Sequence, residues 1–91
     1  MKNTTIYKYK FNIGDTLELT LPGGAEVIHW DVQYGMLCVW AKVNPDNPVQ
    51  VQRFELRYTG HPLGDVGKHL ATIFDGPFVW HVFEPAKQEG E

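Results

Sequence analysis

Two arginines followed by a punctuated loop are the strongest candidates for binding chemistry in this sequence of 91 residues. Arg53 and Arg57 lie four positions apart, which places both on one face of an extended strand. Each planar guanidinium can hold a phosphate through two parallel hydrogen bonds. Along a strand the two residues are ~13 Å apart, which suits two phosphates of one ligand or one phosphate in each of two sites.

The residues after Arg57 add a hydroxyl, an imidazole and an aromatic ring. Tyr58 lies on the opposite strand face, but the glycine and proline beside His61 allow the loop to return Thr59 and His61 toward the arginines. Trp40 and Trp80, on two other candidate strands, can stack an aromatic base. The predicted ligand-binding residues are Arg53, Arg57, Tyr58, Thr59, His61, Trp40 and Trp80.

A structural explanation of the same residues stays open. Arg53, Glu55 and Arg57 would then form cross-strand ion pairs on a solvated face, and the tryptophans would lie in the core. We expect the arginines to be exposed, so that their removal changes folding little.

Catalytic and metal chemistry find little support. The chain contains no serine, which excludes a Ser-His-Asp triad, and no phosphate-binding glycine loop. The four histidines are scattered without metal-ligand spacing, and His29 with Asp31 offers two ligands at most. A carboxylate pair for acid–base work stays open, although no spacing selects one. We expect no enzyme activity, no catalytic residue, no metal and no cofactor.

Composition limits the partners and the compartment. A net charge of −3 argues against a general duplex-DNA binder, which usually has a basic face. No apolar run approaches the ~20 residues of a membrane helix. The single cysteine, Cys38, is typical of a reducing compartment, and its apolar neighbours predict a buried, unreactive thiol. We therefore expect a cytoplasmic protein with neither duplex nucleic acid nor membrane as a partner.

The stretch Phe78–Pro85 organises the predicted fold. Aromatic and β-branched residues dominate it, and prolines flank it, so it reads as a strand. Both of its faces are largely apolar, as are those of 36–43. We expect the core to cover one face and a partner chain or ligand to cover the other, which predicts a homo-oligomer.

Strand and turn signals recur along the whole chain. The predicted strands are Thr4–Phe11, Thr16–Leu21, Ala25–Gln33, Met36–Val43, Val49–Tyr58, Lys68–Phe74 and Phe78–Pro85. The sixth has a helical turn near Asp65 as its alternative. The first two strands predict a hairpin, Tyr34-Gly35 predicts a two-residue turn, and Ile28, Trp30 and Val32 predict an apolar face. The pattern indicates a small all-β antiparallel barrel or sandwich of six to seven strands. We expect a single domain over residues 1–85 and a disordered polar tail at 86–91.

Five stretches carry a resemblance to a known family: Thr5–Tyr9, Leu21–Ala25, Met36–Ala41, Tyr58–Pro62 and Val79–Glu84. They resemble a family of small phage-encoded β-proteins described only as a domain of unknown function. The Gly-His-Pro and Val-Trp-His-Val-Phe-Glu sequences are the most distinctive. The resemblance implies a phage origin and a role inside an infected bacterium, and it supplies no activity.

Small phage β-proteins of this style often counter host defences, and one class binds cyclic-nucleotide immune signals without cleaving them. The resemblance implies an anti-CBASS-like sponge, a homo-oligomer in the host cytoplasm that sequesters a nucleotide-type ligand such as a cyclic dinucleotide. The alternative is a phage accessory domain that binds a protein or serves a structural role and has no small-molecule ligand.

Overall fold

The computed structural model describes residues 3–87, which form seven β-strands and no helix. The strands are β1 (Thr5–Phe11), β2 (Thr16–Pro22), β3 (Glu26–Gln33), β4 (Met36–Val43), β5 (Val49–Tyr58), β6 (Val66–Asp75) and β7 (Phe78–Pro85). They build two sheets, with strand orders β1-β4-β3 and β2-β5-β7-β6. The all-β prediction is confirmed. The closed-barrel alternative is wrong because the strands are divided between two sheets, and a sandwich remains compatible with them.

The chain divides into two compact units. Within the described residues, the first comprises residues 3–13 and Glu18–Gln52, and the second comprises Gly14–Leu17 and residues 53–87. The single domain expected over residues 1–85 stays a prediction. Within the predicted tail, residues 86 and 87 lie in neither a helix nor a strand, and residues 88–91 are outside the described part of the chain.

In the first unit, β4 is the central strand and pairs antiparallel with both β1 and β3. Alternate β4 side chains are buried on one face: Leu37, Val39, Ala41 and Val43. Cys38, on the opposite face, is also buried, as predicted. The predicted two-residue turn between β3 and β4 is confirmed, because Tyr34 and Gly35 both have the positive φ that such hairpin turns favour.

β1 and β2 do not form the predicted hairpin. β1 pairs instead with β4, with Thr5 opposite Val43 and Phe11 opposite Leu37, whereas β2 neighbours β5 in the other sheet. The connection between β1 and β2 lacks the two-residue turn that would fix a hairpin register. Because β4 is buried on both faces, it offers β1 a more apolar neighbour than β2, whose alternate residues are exposed.

A bulge interrupts the alternation of β3. The register shifts between Val27 and His29, so that Val27 lies opposite Ala41 and Trp30 lies opposite Val39. Val27 therefore shares a face with Trp30, and Ile28 is exposed at the bulge. The predicted apolar face was wrong at Ile28, because strict alternation does not hold across an extra residue.

β6 begins at Val66, earlier than predicted, and the helical alternative near Asp65 is wrong. Its register against β7 shifts twice, between Val66 and His69 and between His69 and Ala71. Gly67 lies in the first irregular stretch, where a Cβ atom would be 2.6 Å from the carbonyl oxygen of Pro85. This close approach of two backbones explains a glycine at the start of the strand.

In the second unit, β7 lies between β5 and β6 and is antiparallel to both. Leu56, Ile73 and Val82, one from each of these strands, are buried. On the opposite face of β7, His81 and Phe83 are partly exposed. That second face carries most of the polar side chains described next, and its expected cover by a partner or ligand stays a prediction.

Candidate functional site

A row of polar side chains crosses the sheet of the second unit. The strand register aligns Arg57 on β5 with His81 on β7, and His81 with Thr72 on β6. Residues paired in this way present their side chains on the same face of the sheet. Thr59 follows the end of β5, and its backbone N–H donates to the Val79 carbonyl at 3.0 Å, which keeps it beside β7.

Four side chains on this face form one hydrogen-bonded chain, which we call the polar row: Thr59, His81, Thr72 and His69. Thr59 Oγ1 lies 2.8 Å from His81 Nε2, and Thr72 Oγ1 lies 3.2 Å from His81 Nδ1. His69 Nε2 lies 3.1 Å from Thr72 Oγ1. Three segments of chain thus position a single line of donors and acceptors.

The contacts of Thr59 define the direction of the polar row. Its hydroxyl donates to the Val79 carbonyl oxygen at 3.2 Å, because a carbonyl only accepts. The same hydroxyl therefore accepts from His81 Nε2–H, and neutral His81 accepts at Nδ1 from the Thr72 hydroxyl. Thr72 in turn accepts from His69 Nε2–H. We assign both histidines the Nε2–H tautomer from this network.

Arg57 is held by contacts within the second unit. Its Nε donates to the Leu63 carbonyl at 2.7 Å, and its Nη1 donates to the carbonyls of Leu56 at 3.0 Å and Asp15 at 3.4 Å. Nη1 also pairs with Glu55 Oε1 at 3.2 Å. The side chain is 21% exposed, so the expectation of an exposed arginine is wrong for Arg57, which fixes the loop after β5 to the strand.

Arg53 has a different environment. Its side chain is 57% exposed, and Nε lies 3.5 Å from Glu55 Oε2. The two arginines thus share one carboxylate, which also accepts from the Thr16 hydroxyl at 3.2 Å. The ion pairs of the structural explanation are present, although they run along β5 instead of across strands.

The predicted aromatic residues of the second unit form a cluster on the other face of the sheet. The Tyr58 ring centroid lies 5.1 Å from that of Trp80, 4.9 Å from that of His61 and 5.7 Å from that of Phe78. A turn closed by the His61 N–H and the Tyr58 carbonyl, with Gly60 at φ 93°, places His61 against Tyr58. The loop therefore brings Thr59 to the polar row and leaves His61 with the aromatic cluster.

Three of the predicted ligand-binding residues line a common recess of about 270 Å³. Arg57, Tyr58 and His61 line it, together with the carboxylate residues Asp15 and Glu55. Those carboxylates make the recess less favourable for an anion than the arginine alone would suggest.

Trp40 belongs to the first unit and has neighbours of its own. Lys8 Nζ lies 5.4 Å from the centre of the Trp40 ring, and the His29 ring lies 5.5 Å from it. Lys8 also donates to Gln33 at 2.6 Å, and His29 lies 3.9 Å from an Asp31 oxygen. Trp40 is thus half-buried beside charged and polar side chains of the first unit.

Sequence reasoning missed His81, Thr72 and His69 as a connected group. A two-residue Gly76-Pro77 turn would have indicated one link, since it sets Asp75 opposite Phe78 and Thr72 opposite His81. The contact with His69 depends on the register shift between His69 and Ala71, where neither glycine nor proline marks the irregularity.

The described residues contain no group of three or more His, Cys, Asp or Glu side chains that could hold a metal ion. Residues 3–87 also include no helix long and apolar enough to cross a membrane.

Comparison with protein families gives a match over nearly the whole sequence. A family described as a domain of unknown function (DUF7352) matches residues 2–91, nearly the full length of the sequence. Neither a curated protein nor a solved structure gave a significant match.

Proposed function

This chain belongs to the DUF7352 family, whose description names no activity, and we propose that it binds a small nucleotide-type anion without cleaving it. The polar row beside Arg57 is the observation that carries this proposal. Arginine guanidinium and threonine hydroxyl groups commonly donate hydrogen bonds to phosphate oxygens. Here they are fixed by three paired segments, so little side-chain freedom is lost when a ligand binds.

Aromatic rings flank the polar row. Phe74 is 71% exposed, follows Thr72 by two positions on β6 and therefore lies on the same face. Phe83 contacts His69 with ring centroids 5.3 Å apart. A base stacked on Phe74 with its phosphate over His81 and Thr72 would use both kinds of group.

The hydrogen bonds of His81 favour binding over catalysis. Both of its ring nitrogens are engaged by threonine hydroxyls, at 2.8 and 3.2 Å. A general base needs a nitrogen directed at the proton that it removes. His81 is thus better suited to hold the two threonine side chains in place.

The wider role extends the family resemblance. In this proposal the protein is a cytoplasmic homo-oligomer that sequesters a nucleotide-type immune signal, such as a cyclic dinucleotide, in a phage-infected bacterium. Exposed apolar side chains support self-association, among them Val49, Val51 and Phe74.

Titration calorimetry against cyclic dinucleotides and mononucleotides tests the proposal. We expect His81→Ala to weaken binding of the best nucleotide about ten-fold or more, because it removes the centre of the polar row. His61→Ala is the matched control and should change the affinity less than about two-fold, since its ring lies against Tyr58. The nucleotide should be recovered intact after the protein is denatured.

Three results would contradict the proposal. A loss of affinity in His61→Ala alone would move the site to the recess beside Arg57. Recovery of a cleaved nucleotide would indicate an enzyme. No binding of any nucleotide, together with a protein that co-purifies, would favour the protein-binding alternative.

A further inference from the structure

The first half of β5 is unlike the rest of its sheet. Residues Val49–Arg53 are all exposed, and both Val49 and Val51 are 66% exposed. β7 pairs with β5 only from Glu55 to Tyr58, so the first half lies beyond that register. The segment Val-Gln-Val-Gln-Arg thus extends the strand, and none of the described strands pairs with one of its two edges.

The directions of the backbone groups on this edge follow from three hydrogen bonds. Toward β2, the Leu56 N–H donates to Asp15 and the Pro48 carbonyl accepts from Gly23, both at 2.8 Å. Leu56 of β5 and Pro48, which directly precedes β5, both have even numbers, so the alternation is unbroken between them. Toward β7, the odd-numbered residues pair, as Thr59 does with Val79 at 3.0 Å.

The same alternation assigns the open edge to odd-numbered residues. Val49, Val51 and Arg53 direct their N–H and C=O groups away from β2, to the side that β7 occupies farther along the strand. An exposed run of such groups on a strand of β-favouring residues is a template for pairing with another strand.

We propose that a second copy of this chain pairs antiparallel along Val49–Arg53, with Val51 on the two-fold axis. Val51 then lies opposite Val51, and Val49 lies opposite Arg53, as hydrogen-bonded pairs. Each odd-numbered residue would exchange two hydrogen bonds with its partner. The inference rests on the self-association in the proposed function and assigns its surface.

The side chains of the segment match their own antiparallel copy. The valines at the axis meet as an apolar pair on one face, and Gln50 meets Gln52 on the other as two amides that both donate and accept. The only charged residue, Arg53, meets Val49, so no like charges are opposed. A two-fold interface needs this kind of self-complementarity.

Cysteine cross-linking tests the register. Hydrogen-bonded antiparallel neighbours have Cα atoms about 5.5 Å apart, within disulfide reach, so Val51→Cys should form a covalent dimer on mild oxidation. Val49→Cys is the matched control, because the two copies of residue 49 would be ~13 Å apart. The wild-type protein controls for Cys38, which is buried and should not cross-link.

Light scattering and sedimentation test the same interface without cross-linking. A short strand pair buries less than a standard interface, so the measurements should extend to about 1 mM protein. We expect wild type to approach twice the 10.4 kDa chain mass.

Val49→Glu should dimerise at least about three-fold more tightly because it faces Arg53, and Val51→Lys should remain a monomer because two lysines meet on the axis. Tyr34→Lys, at an exposed turn, should behave as wild type.

A wild-type monomer at every concentration would overturn the inference, and so would a dimer that Val51→Lys leaves intact. Equal cross-linking of Val49→Cys and Val51→Cys would overturn the register. Nucleotide titration of Val51→Lys reports separately on the ligand. Binding by a monomeric variant would preserve the proposed ligand site, whereas failure of His81→Ala to weaken binding would leave the strand pairing unaffected.

Discussion

The two faces of the sheet in the second unit are built from neighbouring positions of the same strands. Leu56 pairs with Val82, and Val82 with Ala71, on a face where Leu56 and Val82 are buried. One position along each strand, Arg57 pairs with His81, and His81 pairs with Thr72, on the exposed face. A single register therefore buries the apolar face and assembles the polar row, and a slip of one residue would destroy both.

The two faces depend on that register in different ways. The apolar face is stabilised by burial, which is large and insensitive to small rotations of a side chain. The polar row depends on directional hydrogen bonds at an exposed surface, where water can replace a lost partner. We therefore expect substitutions on the apolar face to affect folding most, and substitutions in the polar row to affect ligand binding most.

The largest stability change is expected on the apolar face. Leu56→Ala should lower the free energy of unfolding by about 2–5 kcal/mol, because it leaves a cavity at a residue that is 1% exposed. Leu63→Ala is the matched control at an exposed leucine and should change the stability by no more than about 0.5 kcal/mol. Urea unfolding monitored by circular dichroism measures both, and a larger loss in Leu63→Ala would refute the assigned core.

A loss of stability smaller than that of Leu56→Ala is expected for Arg57→Ala, and it should exceed the loss for Arg53→Ala. Arg57→Ala should cost about 1.5–3 kcal/mol, because it removes hydrogen bonds from a charged donor to three carbonyls and leaves Glu55 with a weaker partner. Arg53→Ala should cost at most about 1 kcal/mol, since its ion pair is exposed. Equal effects in the same urea titrations would show that the Arg57 contacts do not order the loop after β5.

Much of the fold was predictable because local signals determine strands. The predicted bounds of β4, β5 and β7 agree with the structure, since runs of β-branched and aromatic residues end there at glycine, proline or asparagine. Which strands pair with one another was less predictable. The pairing of β1 with β4 depends on which surface each strand can bury, and the bulge at Ile28 depends on packing against β4.

The candidate site divides in the same way. Gly60 and Pro62 mark the turn that carries Thr59 and His61, and the structure contains that turn. The packing of Tyr58 against His61 and Trp80 was not predicted. The environment of Arg57 could not be derived, because its carbonyl partners come from loops whose paths the sequence leaves open. His69 was missed because it reaches Thr72 only through the irregular register of β6.

The smallest stability change is expected at the centre of the polar row. Thr72→Val keeps the β-branched shape and removes the hydroxyl that accepts from His69 and donates to His81. Because Thr72 is exposed, water can replace the hydroxyl, so the loss of stability should stay below about 1 kcal/mol.

The more informative effect of Thr72→Val is on the tautomer of His81. Long-range proton–nitrogen NMR at about pH 9, where imidazole side chains are neutral, should show the Nε2–H form in wild type and a mixture of both forms in Thr72→Val. The His61 signals provide the internal control and should not change, since that ring contacts Tyr58 on the other face. A wild-type His81 in the Nδ1–H form would reverse the direction assigned to the polar row, because Thr59 would then have to donate to both His81 and Val79.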